Sequence, residues 1–267
     1  MTEKRFRAKE LQSVCVVNAE GRQANLDKVL SLGLPTAQKL PGRAGKLAIV
    51  ASGPSVPDFL DDITSSDEIW AINGAYDYLL GQGIVPQGFF AIDPLPALAE
   101  YVARAHQDST FYVASTCDLS VFDALKNNKV ITFHPDSEDL VYPKDAGRIG
   151  GGTTAITRAP YLGLLRGWRD ITIYGADSSY DGREYCYEWG SYSTDIDEPR
   201  MWVEVEGKHF QTELGLMKQV SQMGVILQRF NGMLKIKCDG LMDAFLKAPM
   251  MDDAIIDVEK DADANAA

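Results

Sequence analysis

Leu47-Ala-Ile-Val-Ala-Ser-Gly-Pro-Ser-Val56 is the stretch that decides the fold. Five apolar residues, too few for a helix, run without a polar interruption into Ser52-Gly53-Pro54-Ser55, which reads as a strand buried on both faces followed by a tight turn and a short helix. The same kind of run recurs at 69–72, 89–92, 111–114, 130–133 and 171–174, mostly β-branched or aromatic. Between the runs, Leu95, Leu98, Ala99 and Val102 keep helical spacing, as do Leu216, Val220 and Met223 further on, and helices are also expected over 75–82, 119–127, 153–166 and 240–247. Strands alternating with helices predict an α/β fold: a mainly parallel, doubly wound sheet with helices on both faces. After residue 200 the pattern predicts a strand at 201–205, a helix, and further strands at 225–230 and 234–238.

The chain has 267 residues, 45% hydrophobic and 24% charged, enough for one sizeable core. Pro35, Pro41, Gly42 and Gly45 separate residues 1–45, read as a helical N-terminal appendage, from a main domain over 46–248. Residues 249–267 read as an acidic, solvated tail: six acids face Lys260 alone between 252 and 267. A net charge of −12 argues against binding a nucleic-acid backbone, which needs clustered Lys and Arg, but leaves a single nucleotide open. Cys15, Cys117, Cys186 and Cys238 form no Cys-x-x-Cys pair, so free thiols and a cytoplasmic setting are expected. No run of about 18 apolar residues occurs, so neither a membrane span nor an export signal is expected.

Within this frame the Ser52-Gly53-Pro54-Ser55 turn is a candidate phosphate site. Gly53 would let a ligand approach the backbone, Ser55 would cap the following helix, and free N–H groups at a helix start favour an anion. Neither a Walker A sequence nor Gly-x-Gly-x-x-Gly is present, and a purely structural turn is the alternative. Gly150-Gly151-Gly152-Thr153-Thr154 opens a second helix and could form a backbone nest for phosphate or ribose, or a capped hinge. Strand tips carry Asn73, a candidate for a base or sugar hydroxyl, and Asp93 and Asp177, either of which could hold Mg²⁺ against phosphates, accept a hydrogen bond from ribose or cap a turn, Asp177 being a catalytic candidate as well. Tyr180, Tyr185, Tyr187, Trp189 and Tyr192 crowd one polar stretch that suits a stacking lid or a surface hairpin. Of the three histidines, His209, just before Thr212 and Glu213, is the candidate general base.

The ordered set Ser-Gly-Pro-Ser, Ile-Asn-Gly-Ala-Tyr-Asp, Gly-Ile-Val-Pro, Ile-Asp-Pro, Gly-Gly-Thr-Thr-Ala and Ile-Tyr-Gly-Ala-Asp resembles the MptE-like 6-hydroxymethylpterin diphosphokinase family, with its related motility accessory factor glycosyltransferases and bacterial sialyltransferases. The resemblance covers roughly 46–248. It implies a Rossmann-like transferase in which the Gly53 turn and Thr153-Thr154 hold a nucleotide or nucleotide-sugar and Asn73 meets its base or ribose. It also implies a His after the aromatic segment as base, a place that His209 occupies. Asp93, where the sialyltransferases carry Asn, favours branches of which some use Mg²⁺. The expectation is therefore transfer of a glycosyl or pyrophosphoryl group to a small hydroxylated acceptor, with strict pterin diphosphokinase activity on Mg-ATP, and a non-catalytic binding module, as the alternatives. Under this reading Gly53→Val abolishes nucleotide binding without unfolding the protein. Oligomeric state is left open.

Overall fold

The computed structural model describes residues 4–7, 17–188, 190–192, 200–248 and 255–260. In chain order its elements are β1 (Lys4–Arg7), α1 (Ala19–Ser31), β2 (Lys46–Val50), α2 (Leu60–Thr64), β3 (Glu68–Ile72), α3 (Ala75–Gly81), β4 (Gly88–Ala91), β5 (Thr110–Ala114), α4 (Leu119–Ala124), β6 (Lys129–Pro135), β7 (Arg148–Ile149), α5 (Ala155–Leu165), β8 (Asp170–Tyr174), β9 (Met201–Val205), β10 (Lys208–Thr212), α6 (Leu214–Phe230), β11 (Leu234–Lys237), α7 (Leu241–Lys247) and β12 (Ile255–Lys260). Short 3₁₀ turns precede α2 (Val56–Phe59) and follow β4 (Pro96–Val102).

All six apolar runs are strands, displaced by no more than a residue or two from the expected limits. They form the body of an eight-stranded sheet ordered β11-β8-β2-β3-β4-β5-β6-β7, with every neighbouring pair parallel. In the central strands every residue after the first is buried, because helices cover both faces and leave no solvent side for an alternating pattern. Trp70, Phe89, Phe90, Phe111, Phe133 and Trp168 fill the layers between sheet and helices. A second, antiparallel sheet is ordered β1-β12-β9-β10.

One expected strand is corrected: Val225–Phe230 is the last part of α6. Its short apolar run imitated a buried strand, yet Met217, Val220, Met223, Ile226 and Phe230 repeat every three or four residues without a break and are all buried along one stripe. The helix stops at Asn231, whose φ of 45° is the left-handed turn that ends many helices. The segment before residue 46 packs on the sheet: α1 buries Leu26 and Val29, and the amide of Asn25 donates to Thr116 O and Pro94 O. Of the expected tail, β12 is the part that the structure describes, paired with β1 and β9.

Asp62 ties three strands together, accepting from Lys46 Nζ at 3.0 Å, from Tyr174 Oη at 2.9 Å and from Lys237. Lys237 and Lys46 hold its carboxyl well below the usual carboxylate range. A carboxyl depressed on folding stabilises above its unfolded value near 4, and that gain fades as pH falls through this value and below. Because the network is partly exposed, Asp62→Asn is expected to cost only about 0.5–1 kcal/mol at pH 7 in a urea titration, with the cost shrinking below pH 4. An equal cost at both pH values would count against the charge network.

Candidate functional site

From β2 the chain winds outward through β3 to β7, then crosses back to place β8 on the other side of β2. The neighbours β2 and β8 are thus the point where the winding reverses, and the connections beyond their carboxyl ends leave a crevice there. A cleft of about 190 Å³ occupies it, lined by the turn after β2, Asn73, the first turn of α5, residues 175–180, Glu184, Tyr185, and Leu216 and Gln219 of α6.

The floor of this cleft is a lock closed by the protein's own carboxylate. Asp177, 2% exposed, accepts from Ser55 N at 2.8 Å, from Ser55 Oγ at 2.5 Å and from Asp239 N at 2.9 Å. Gly53 N donates to Gly175 O at 3.0 Å, and Val56 N closes the turn on Gly53 O. Burial pushes the Asp177 carboxyl above its ordinary value, while the bonds from Ser55 and Asp239 work in the opposite direction. Gly53, Ser55 and Val56 thus spend their N–H groups inside the protein, Ser55 on the Asp177 carboxylate and the other two on backbone carbonyls. Ser55 makes no side-chain cap, because its hydroxyl is committed to that carboxylate. A Cβ on Gly53 would lie 2.3 Å from Gly175 O and 2.4 Å from Asp177 Oδ2, so the glycine serves close packing against the β8 tip. Ser52, Gly53 and Pro54 still line the cleft as its wall.

The second glycine run ends at a better-furnished helix start. Gly151, at φ 121°, and Gly152 pack too tightly for any side chain, against Thr157 O and Gln222 Oε1. Thr153 gives both its N–H and its hydroxyl to Gln222, and the buried Arg158 clamps Gly152 O and Ile149 O at 2.8 Å each. Thr154 N donates to Thr157 Oγ1 in a capping box. An α-helix leaves its first N–H groups without intrahelical partners, and its first residues here, Ala155 and Ile156, line the cleft with Thr154. Gly151, Gly152 and Thr153 lie behind this wall, outside the described lining.

Two lining residues adopt left-handed backbone, Asn73 at φ 48° and Ser178 at φ 55°, a conformation that persists where the surroundings impose it and that clusters at ligand sites. Asn73 Oδ1 is buried and has no hydrogen-bond partner. Ser178 is held by Gln219 Nε2 at 3.0 Å and, through its carbonyl, by Thr212 Oγ1 at 2.7 Å. On the opposite side, Tyr180 Oη donates to Glu213 at 2.9 Å and Arg200 lies 4.6 Å over its ring. Burial, with Glu213 alongside, pushes the Tyr180 phenol far up. Tyr185 stacks on Tyr187 at 4.8 Å; Tyr187 rests against Gly74, where a Cβ would lie 2.3 Å from its ring, and meets Tyr192 edge-on. The expected aromatic cluster thus forms one wall, with Tyr180 and Tyr185 facing the cleft. Trp189 lies outside the described residues.

Other expected residues fall elsewhere. His209 is exposed on β10, opposite Glu204 of β9, and is not among the described residues lining the cleft. In an antiparallel ladder successive side chains alternate faces, which sends His209 away from the side on which Thr212 is buried. Asp93 accepts from Leu95 N at 3.0 Å in a turn after β4, also outside the lining, and burial pushes its carboxyl up. No three His, Cys, Asp or Glu residues converge among the described residues; Asp177 has both oxygens committed, and Asp93 lies outside the described lining. Sequence reasoning missed Glu184, Ser179, Leu216 and Gln219; for Glu184 the available signal was its position between Tyr180 and Tyr185.

No curated protein matches the chain. Among solved structures, MAf glycosyltransferase from Magnetospirillum magneticum AMB-1 superposes with a TM-score of 0.64 at 18% identity, covering 86% of this chain and 38% of that chain. The two share a fold, and this chain spans well under half of that protein's length. A mammalian sialyltransferase in complex with Gal-beta-1-3GalNAc-ortho-nitrophenol aligns over 88% of this chain and 90% of its own at 11% identity, with a TM-score of 0.39. No described helix is long and apolar enough to cross a membrane. The family model described as 6-hydroxymethylpterin diphosphokinase MptE-like matches residues 23–183, more than half of the sequence, and takes in the Gly53 turn, Asn73, the start of α5 and Asp177; the chain belongs to that family.

Proposed function

We propose that this protein is a nucleotide-dependent transferase that holds the phosphate of a nucleotide donor at the start of α5 and moves a glycosyl group from it to a small hydroxylated acceptor. The observation that carries this reading is the meeting in one cleft of the start of α5, Thr154 to Ile156, with Asn73, whose buried Oδ1 has no hydrogen-bond partner. The helix start suits a phosphate oxygen, and Asn73 suits a ribose hydroxyl or an exocyclic amine of the base. A charge argument favours glycosyl over pyrophosphoryl transfer. Neither Lys nor Arg is among the described residues lining the cleft. A helix terminus offers roughly half a unit of positive charge, suited to a singly charged phosphate ester and poorly suited to a triphosphate. The family description points instead to a diphosphokinase, which would bring Mg²⁺ with its ATP.

Thermal melting with CMP, UDP, GDP and ATP, each with and without Mg²⁺, separates these readings. A nucleotide at a hundred times its Kd stabilises by about 2.7 kcal/mol, a rise of roughly 5–10 °C. A rise with a metal-free nucleotide is expected; a rise only with Mg-ATP favours the diphosphokinase, and none at all favours a non-catalytic module. Asn73→Gly keeps the left-handed backbone while removing the amide. It is expected to weaken binding about tenfold and leave the melting temperature of the free protein nearly unchanged. Undiminished affinity in that variant would take Asn73 out of the site.

A further inference from the structure

Glu184 stands on the cleft wall between Tyr180 and Tyr185, and its two carboxylate oxygens have different surroundings. Oε1 is bound by the Arg200 guanidinium, which itself lies over the Tyr180 ring. Oε2 is withdrawn from solvent and has no hydrogen-bond partner. A buried acceptor in that state costs free energy unless a donor reaches it, so it persists where a ligand supplies the donor. The other carboxylate lining the cleft, Asp177, has both oxygens committed to Ser55 and Asp239 and cannot take a proton without opening the floor. His209, the expected base, is absent from the lining. We propose that Glu184 is the general base, receiving the acceptor hydroxyl at Oε2 while Arg200 fixes the carboxylate through Oε1.

This inference rests on the glycosyl-transfer reading of the cleft. The acceptor oxygen forms a bond to the anomeric carbon as its proton passes to Glu184 Oε2. The bond between that carbon and the donor's phosphate oxygen breaks, and its electron pair leaves with the nucleotide at the start of α5. The acceptor would be a polyol or sugar, with one face on the Tyr185 ring and a hydroxyl directed at Oε2; carbohydrate C–H faces pack well on aromatic rings of this kind. The groups that set the charge state of the base are Arg200, Tyr180 and Tyr185 beside it, Glu213 behind Tyr180, and Asp177 across the cleft.

The test uses the full chain and pairs nucleotide titration with turnover of nucleotide-linked sugars, scored as nucleotide release with glycerol or galactose as acceptor. In Glu184→Gln, affinity for the nucleotide that raises the wild-type melting temperature is expected to be unchanged, while kcat falls about 10²–10⁴-fold and the acid limb of the pH–rate profile disappears. In Arg200→Met, which leaves the carboxylate unfixed, kcat is expected to fall with nucleotide affinity unchanged, and Arg200→Lys to recover part of it. A structural ion pair would lower the melting temperature in Glu184→Gln and Arg200→Met and leave the acid limb in place. Wild-type turnover in Glu184→Gln, or loss of nucleotide affinity together with turnover, overturns the base assignment while the reading of the cleft stands. A wild-type protein that binds none of the nucleotides overturns that reading, and the base with it.

Discussion

Gly53→Val is expected to destabilise the protein severely, and to unfold it if its total stability is at the low end of the usual range, before any effect on ligand binding can be read. The first added atom would stand 2.3 Å from Gly175 O and 2.4 Å from Asp177 Oδ2, and neither can move freely. Gly175 O accepts from Gly53 N, and the Asp177 carboxylate is fixed by Ser55 and Asp239. Displacing that carboxylate strands a buried charge, a change that costs about 3–5 kcal/mol out of a total of about 5–15. Gly53→Ala, adding that one atom alone, is expected to show most of the loss in a urea titration. A stable Gly53→Ala protein that melts like wild type would mean that the strand tips separate easily and that this close contact is not essential. The result also separates two uses of a glycine at a strand end, since a residue kept small for a ligand can be enlarged without loss of stability.

Replacing Asp177 is expected to have an effect of the same size by the opposite route. Asp177→Ala leaves Ser55 N, Ser55 Oγ and Asp239 N without acceptors in a buried place, at about 3–5 kcal/mol for the set. Asp177→Asn preserves shape and one acceptor, but turns an N–H₂ group towards a donor, so a smaller loss of about 2–4 kcal/mol is expected. Both variants should lose nucleotide binding only in step with loss of folded protein. Asp177→Asn with a wild-type melting curve and no turnover would restore the carboxylate to a chemical role.

The strands were legible because burial on both faces removes the need for alternation, leaving continuous runs such as Leu47–Ala51 that stand out from helices by length alone. Val225–Phe230 shows the limit of that signal, since a short run inside a long helix looks the same until the spacing of Met217, Val220 and Met223 is followed through it. The Gly53 turn was legible as part of a cleft wall, but its bond to Asp177 was not. Nothing in Gly-Pro-Ser says that its anion is a residue 122 positions away, because that partnership arises from the sheet and from no local pattern. Glu184 escaped notice because the stretch from 178 to 200 has no periodic order for a sequence to display. His209 drew attention as a lone titratable group, and strand alternation turns it outwards.

The pairing of β2 with β8 also bears on how the chain comes to its fold. Lys46 pairs with Asp170 and Val50 with Tyr174, so the middle of the sheet is completed by a strand about 120 residues later in the chain. Until then the growing chain carries β2 as an open edge, apolar from Leu47 to Val50, able to pair with another copy. Such distant pairing makes for slow folding and a long exposure to aggregation. A chain interrupted anywhere between β7 and β8 would keep most of its strands and still display that edge permanently, which makes the crossover through α5 the segment on which escape from self-association depends.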